Sequence, residues 1–486
     1  MPMGFLQLIG IILKKFVRIL FEFLCFMMYN DYIVIEKRGG IFLMKRILAA
    51  IISVIMLLAV IPSENVSAAT FDIDFETECK SLYLENLDTG VVVYQKAQNE
   101  RRYPASTTKI MTYIITAENV KDIKNTYVTI KANTLKLLEG TGSSVAGLEA
   151  GEKLSVYQLL QCLMIPSGND AAIVLADHIG NGSIQKFVDM MNEKAKELGC
   201  TSTHFANPHG LNDPNHYTTV SDMAKITKYA MTMPEFEDIS NMTSSECLGE
   251  DRYLITTNSM IDATRGGKYY YEYAKGIKTG STGNDSGYCL VSTAEKNGYS
   301  YLCVAYGAKY ENEETGEYYE NGAMMDSKNL YEWAFDDLKI RTVIDKNDLV
   351  KEVGLNFAWN KDSLQLSPAE TYSTILPDDI QMSSIDRVYD LPESIDAPVK
   401  AGDKIGTVTL SYANQKLGTV DLIASETVER SELLIAFDFL KKMVRSLWFM
   451  ITVVVIAAFF LGYLILAAVY NHKKRNQRPV KKYRKF

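Results

Sequence analysis

None of the seven cysteines forms a Cys-x-x-Cys pair, which removes zinc-ribbon and thioredoxin-type chemistry. Histidine is scarce, with five in 486 residues. His204 and His209 flank a loop without helical metal spacing, and His178 and His216 add no cluster, so a packing or loop hydrogen-bond role is expected and a zinc peptidase is not indicated. Nothing in the sequence implies a metal or cofactor. Positive charge is outweighed over most of the chain. Lys+Arg number 51 against 59 Asp+Glu, for a net −8, and eight of those cations (Lys473, Lys474, Arg475, Arg478, Lys481, Lys482, Arg484, Lys485) crowd the C-terminus. With them set aside the net −8 falls to −16, and an acidic body with a basic tail argues against nucleic acid as the partner of the main domain and points to a membrane. A hydrophobic content of 47% with 23% charged residues excludes a wholly disordered chain.

One uncharged run stands out, the 24 residues Leu447 to Tyr470. About 20 apolar residues cross a bilayer core, so 447–470 is expected to be a transmembrane helix with Trp448, Tyr463 and Tyr470 near the interfaces. The basic segment 471–486 marks the cytoplasmic side, which puts everything before Leu447 outside. At the other end, Met44-Lys45-Arg46, the uncharged stretch Ile47–Ser63 and Val66-Ser67-Ala68-Ala69 supply the three parts of a secretory signal peptide over 44–69. Residues 1–43 are apolar but broken by Lys14, Lys15, Arg18 and Glu22. Two readings stay open there: a mis-assigned start ahead of Met44, or a first membrane helix around Gly4–Met28. Export permits disulfides among the six cysteines beyond Cys25, without saying which.

The exported length accommodates two domains before the membrane. Over 70–342 short apolar strands alternate with helical stretches, as in an α/β domain. Ser81–Tyr94 reads as two strands about a turn at Asp88-Thr89-Gly90, and Tyr288–Ala294 with Tyr299–Ala305 as a hairpin around Glu295–Gly298. Leu154–Ile165 and Asp170–Ile179 carry helical periodicity on either side of Pro166–Asn169. Strands at both ends with helices between suggest one sheet closed from distant segments. Residues 343–425 turn β-rich, and the repeated Lys404-Ile405-Gly406-Thr407-Val408 and Lys416-Leu417-Gly418-Thr419-Val420 predict a hairpin in a small all-β domain without an acid/base constellation. Residues 426–446 form an amphipathic connector.

Three short motifs carry chemistry. Ser106-Thr107-Thr108-Lys109 opens a helix-like run, Ser167-Gly168-Asn169 lies 61 residues on in the interhelical loop, and Lys278-Thr279-Gly280 follows after another 111 at a strand. A serine hydroxyl needs a neighbouring base. Positions i and i+3 share a helix face, so Lys109 can reach Ser106. A lysine serves as base when burial or nearby positive charge favours its neutral form, and Lys278 can supply that charge while attracting an anionic substrate. Ser167 can relay a proton, the Asn169 amide can hold substrate and Lys109, and the N–H groups of Ser106 and of the residue past Gly280 can serve as oxyanion donors. Each motif alone says little: Ser183-Ile184-Gln185-Lys186 also reads Ser-x-x-Lys, and Ser63-Glu64-Asn65 and Ser327-Lys328-Asn329 also read Ser-x-Asn. Their order and spacing carry the information.

In that order the motifs resemble the serine D-alanyl-D-alanine carboxypeptidases, the low-molecular-mass penicillin-binding proteins. Pro104–Thr112 is similar to the family's acylation signature. Asn207-Pro208-His209-Gly210-Leu211 with His216–Thr219 is similar to its central block, Gly276–Gly280 to its third motif, and 397–423 to its C-terminal domain. The resemblance covers about Phe71 to Glu432. It implies a serine β-lactamase/penicillin-binding-protein-like transpeptidase fold of α/β (α+β) class, a small all-β domain and a C-terminal transmembrane helix. It also implies that Ser106 is acylated by peptidoglycan stem peptides ending in D-Ala-D-Ala, with Lys109 as proton acceptor and Ser167 and Asn169 assisting. Lys278 and Thr279 would bind the terminal carboxylate, and the Ser281 N–H would complete the oxyanion hole. β-Lactams would be inhibitors.

Two features depart from the family pattern. Asp262–Glu272 before the third motif is longer and richer in tyrosine, and a spanning helix replaces the commoner amphipathic anchor. The alternatives are a class A β-lactamase, whose Glu-x-x-Leu-Asn string is missing here, and a non-catalytic penicillin-binding module, for whose signalling domain the short tail leaves no room. Oligomeric state is not legible in the motifs.

Overall fold

Asn86 builds the first hairpin: its side-chain oxygen accepts from the Thr89 N–H (2.9 Å) and hydroxyl (2.7 Å), and Gly90 takes φ +70°. The strands on either side are β1 (Ser81–Asn86) and β2 (Val91–Lys96). The computed structural model describes residues 71–412 and 415–476. The readings made for 1–43, for the signal segment 44–69 and for tail residues 477–486 lie outside the described residues.

Strand β3 (Ala274–Gly280) leads into β4 (Tyr288–Lys296) and β5 (Tyr299–Ala308). Asn297 and Gly298 turn between β4 and β5 with positive φ at both positions, the backbone an Asn-Gly hairpin requires. The antiparallel sheet runs β2-β1-β5-β4-β3, so the first hairpin docks on the last across more than 200 residues of sequence, closing one sheet from distant segments as expected.

Both faces of this sheet are buried. Alternation sends Tyr83, Leu302, Val304 and Tyr306 to one side, against α1 (Lys109–Asn119), α2 (Val156–Met164), α3 (Asn169–Ile179), α4 (Ile184–Glu197) and α5 (Val220–Ala230). Leu82, Leu84, Tyr301 and Cys303 go to the other, against α6 (Gly322–Asp337). Local sequence sets the helix starts. Ser155 and Gln158 form a reciprocal capping box ahead of α2. Ser183 caps α4 through the Lys186 N–H at 3.2 Å with Lys186 exposed, so the stray Ser-x-x-Lys string is a helix cap.

Beyond α6, β6 (Leu338–Ile344) runs across the 342/343 position and pairs with β9 (Tyr372–Pro377). With β7 (Lys351–Asn356), β8 (Ser363–Pro368), β10 (Asp386–Asp390), β11 (Ser394–Asp396), β12 (Lys404–Tyr412) and β13 (Gln415–Ala424), a six-stranded sheet follows in the order β10-β12-β13-β8-β7-β11. The two repeated pentapeptides face one another, Val408 opposite Val420. Gly418 makes room for the Tyr372 ring, whose tip would lie 2.5 Å from a Cβ there.

An exposed amphipathic helix α7 (Glu432–Arg445) is capped by Ser431 and leads to α8 (Leu447–Asn476). Within α8, 447–473 is long and apolar enough to cross a membrane, and none of its apolar window is buried. Cys79, Cys162, Cys200, Cys247, Cys289 and Cys303 are unpaired thiols.

Candidate active site

The turn ahead of α1 aims the serine. Ala105 takes φ +46°, residues Ala105–Thr108 form a 3₁₀ turn, and Lys109 becomes the first residue of α1, one turn from Ser106. The Lys109 side chain is fully buried. Its Nζ lies 2.8 Å from Ser106 Oγ, 2.5 Å from Asn169 Oδ1 and 3.0 Å from the His209 carbonyl oxygen. Burial first, then the nearby Lys278 charge, hold this amine well below the usual lysine range, with Asp170 pulling the other way. A neutral amine at this position can donate to Asn169 and His209 and turn its lone pair to the Ser106 hydroxyl.

The second motif forms the turn between α2 and α3, with Ser167 at φ +64° and Asn169 opening α3. Both are buried. The Asn169 amide reaches Lys109, whereas no hydrogen bond joins the Ser167 hydroxyl to Ser106 or to either lysine among the described residues.

The third motif ends β3. Lys278 is buried, its Nζ donates to the Thr279 carbonyl (3.0 Å), and desolvation pushes its pKa down to about 7. Thr279 Oγ1 is 2.5 Å from Thr257 Oγ1. A Cβ on Gly280 would come within 2.9 Å of the Ser106 nitrogen, so the glycine lets the strand end pass beside that N–H. Ser281 follows, partly exposed.

Lys278 has a consequence for stability. The unfolded chain keeps a lysine proton up to about pH 10.4, while the native chain releases it near 7. Between those values the unfolded state binds more protons, so stability rises with pH. Lys278→Met is expected to flatten that rise, measured as urea midpoints from pH 6.5 to 10.

The motif residues therefore converge at the C-terminal end of β3. Sequence reasoning named the Asn207–Leu211 block without a role for it, and the structure supplies one. Asn207 Oδ1 accepts from Gly210 N at 2.7 Å, its Nδ2 donates to the Leu211 carbonyl at 2.9 Å, and the folded loop points the His209 carbonyl at Lys109. His216 Nδ1 accepts from the Ala206 N–H (3.0 Å), which leaves Nε2 to donate to Thr108 Oγ1 (2.8 Å). Burial holds both rings neutral, pushing His209 down to about 3 and His216 to about 4. Thr257 and Asp170 were also missed. The only visible signal for the block was its Asn-Pro-His-Gly string, which cannot reveal a backbone carbonyl as a contact. No group of three or more His, Cys, Asp or Glu suited to a metal occurs among the described residues.

Residues 65–310 match the family described as D-alanyl-D-alanine carboxypeptidase, and residues 339–430 match the C-terminal domain of penicillin-binding protein 5. The D-alanyl-D-alanine carboxypeptidase DacF of Bacillus subtilis is 30% identical over 395 residues, spanning 80% of this chain and 96% of its own. DacC of Escherichia coli is 30% identical over 364 residues, spanning 72% and 84%. Among solved structures, penicillin binding protein 5 from Haemophilus influenzae superposes with a TM-score of 0.57 at 25% identity, over 74% of this chain and 100% of that one. DacD from Francisella tularensis shares the fold with a TM-score of 0.59 at 24% identity, over 77% and 100%.

Proposed function

Because this chain belongs to the D-alanyl-D-alanine carboxypeptidase family, which works through a serine acyl-enzyme, we propose that Ser106 is its nucleophile and that it removes the terminal D-alanine from peptidoglycan stem pentapeptides, limiting cross-linking. The observation that carries the reading is the position of Lys109 Nζ between Ser106 Oγ and Asn169 Oδ1, in full burial beside a second lysine.

The substrate carboxylate binds at Lys278 and Thr279. That anion favours the protonated form of Lys278. Lys109 accepts the Ser106 proton as Oγ adds to the penultimate D-alanine carbonyl, while the N–H groups of Ser106 and Ser281 receive the oxyanion. Asn169 holds Lys109 and the peptide. Ser167 passes the proton to the leaving D-alanine nitrogen, a step requiring its hydroxyl to turn toward Lys109 once substrate fills the cleft. Water then attacks the ester, and Ser106 leaves with its proton restored through Lys109. β-Lactams present the same carbonyl and carboxylate and would acylate Ser106. The α8 span and the basic residues after it orient the enzyme with its catalytic domain extracytoplasmic and its tail in the cytoplasm.

Intact-mass measurement of the full chain in detergent, followed over time with benzylpenicillin, tests the reading. A persistent adduct that disappears in Ser106→Ala is expected. Rapid penicillin destruction without a lasting adduct would make the chain a β-lactamase instead, and neither adduct nor turnover would end the enzyme assignment.

A further inference from the structure

Asp170 follows the Ser-x-Asn motif, and its carboxylate is buried with no ion-pair partner among the described residues. It accepts instead from three consecutive backbone N–H groups of an upstream segment, Ala146 (2.9 Å), Gly147 (2.9 Å) and Leu148 (3.0 Å), and from Ala171 in its own helix turn (2.9 Å). Charge-assisted bonds of this kind are the strong ones, and a helix N-terminus favours the anion. The same segment is tied again from its other end. The Asn169 N–H donates to the Ser144 carbonyl (2.8 Å), and the Ser144 hydroxyl donates to the Pro166 carbonyl (2.8 Å). Gly168, between the motif residues, has no room for a side chain, since a Cβ would lie 2.6 Å from Asp170 Oδ1 and 2.7 Å from the Cys162 carbonyl.

We propose that Asp170 is a positioning residue for the reaction: its carboxylate fastens the 144–148 strap against the Ser167–Asn169 turn and thereby fixes where the Asn169 amide holds Lys109. This rests on the functional reading above. The geometry gives the residue two separable actions. One is mechanical, because the Asn169 backbone is held between the strap and α3 while its side chain reaches Lys109. The other is electrostatic, because the Asp170 charge opposes the effect of Lys278 on Lys109. The other titratable groups around them are His209 from the central block, Cys162 from α2 and the Arg252–Glu152 pair, through which Arg252 also binds the Gly147 carbonyl.

The test is the second-order rate of benzylpenicillin acylation by the full chain in detergent, from pH 5 to 10. Asp170→Asn presents N–H donors to backbone donors and removes the charge. It is expected to lower the rate at least tenfold and to move the acid limb of the profile to lower pH by half a unit or more, since Lys109 then loses its proton sooner. Asp170→Glu keeps the charge but displaces the carboxylate, so a lower rate with an unmoved limb is expected. An Asp170→Asn protein that acylates within twofold of wild type with the limb in place would overturn the proposal. A slower rate with the limb unmoved would equally overturn it, leaving Asp170 a structural residue alone. If Asp170→Asn does not fold, Asp170→Glu decides: an unchanged rate rejects the positioning role. Retention of acylation in Ser106→Ala would sink the functional reading instead, a separate result.

Discussion

Acylation of Ser106 by benzylpenicillin is expected to slow by about 10²- to 10⁴-fold when Lys109 is replaced by methionine, the range a positioned general base contributes. Methionine is chosen because it fills nearly the same buried volume, so the loss reports the amine and not a cavity. Lys109 is completely buried and makes no ion pair among the described residues. Its three contacts are to a hydroxyl, an amide oxygen and a backbone carbonyl. None of these compensates a full charge as a carboxylate would, so desolvation and Lys278 win and the neutral amine becomes accessible. In the wild type the rate is expected to rise with pH as Lys109 releases its proton, at a value well below the ordinary lysine range. The methionine variant should show a low rate without that limb. Stopped-flow acylation across pH measures both. A variant that kept the limb would assign it to another group and remove Lys109 as the base.

Much of this site was legible in the sequence because its chemistry lies in side chains at fixed local offsets. Ser106 and Lys109 face one another through a single turn, and the 3.6-residue period carries that information. The β4–β5 hairpin was readable as a connection within Glu295–Gly298, which the structure narrows to the turn Asn297-Gly298 with Glu295 and Lys296 in β4. What escaped depends on backbone groups far along the chain. The His209 carbonyl acts through its oxygen, which every residue has. The three N–H groups on Asp170 come from 22 to 24 residues upstream, with no pattern that names them. The β-rich part shows the same divide. The β12–β13 hairpin was visible in its repeated pentapeptides, but the parallel pairing of β7 with β11 joins distant strands of ordinary composition. Strand β6 likewise starts at Leu338 directly where α6 ends, with no glycine or proline to mark the change. At the membrane end, α8 continues past Tyr470 to Asn476, because polar side chains end an apolar run without ending a helix.

Gly210→Ala is expected to disable the site from outside the three motifs. Gly210 sits at φ +93°, and a Cβ there would fall 1.8 Å from the Ala105 carbonyl oxygen and 2.4 Å from its carbon. Both are backbone atoms that cannot rotate away. The end of β3 also approaches, less tightly, with the Cβ position of Gly280 2.9 Å from the Ser106 nitrogen. The Ala105–Ser106 peptide thus lies against two glycines, and a methyl group on either must displace Ser106 or its N–H. Strain at a positive φ costs about 1–3 kcal/mol. The clash adds to that cost, and it moves Ser106 relative to Lys109, where about 1 Å of misplacement costs roughly 10² in rate. Gly298→Ala separates the two effects. That glycine has φ +81° with nothing within 4 Å of its Cβ position, so it carries backbone strain without a clash. Both variants should lower the urea midpoint, and only Gly210→Ala should lose acylation, by at least about 10²-fold. Equal acylation rates in the two proteins would show that the nucleophile turn tolerates the displacement and that the close approach of the central block serves packing alone.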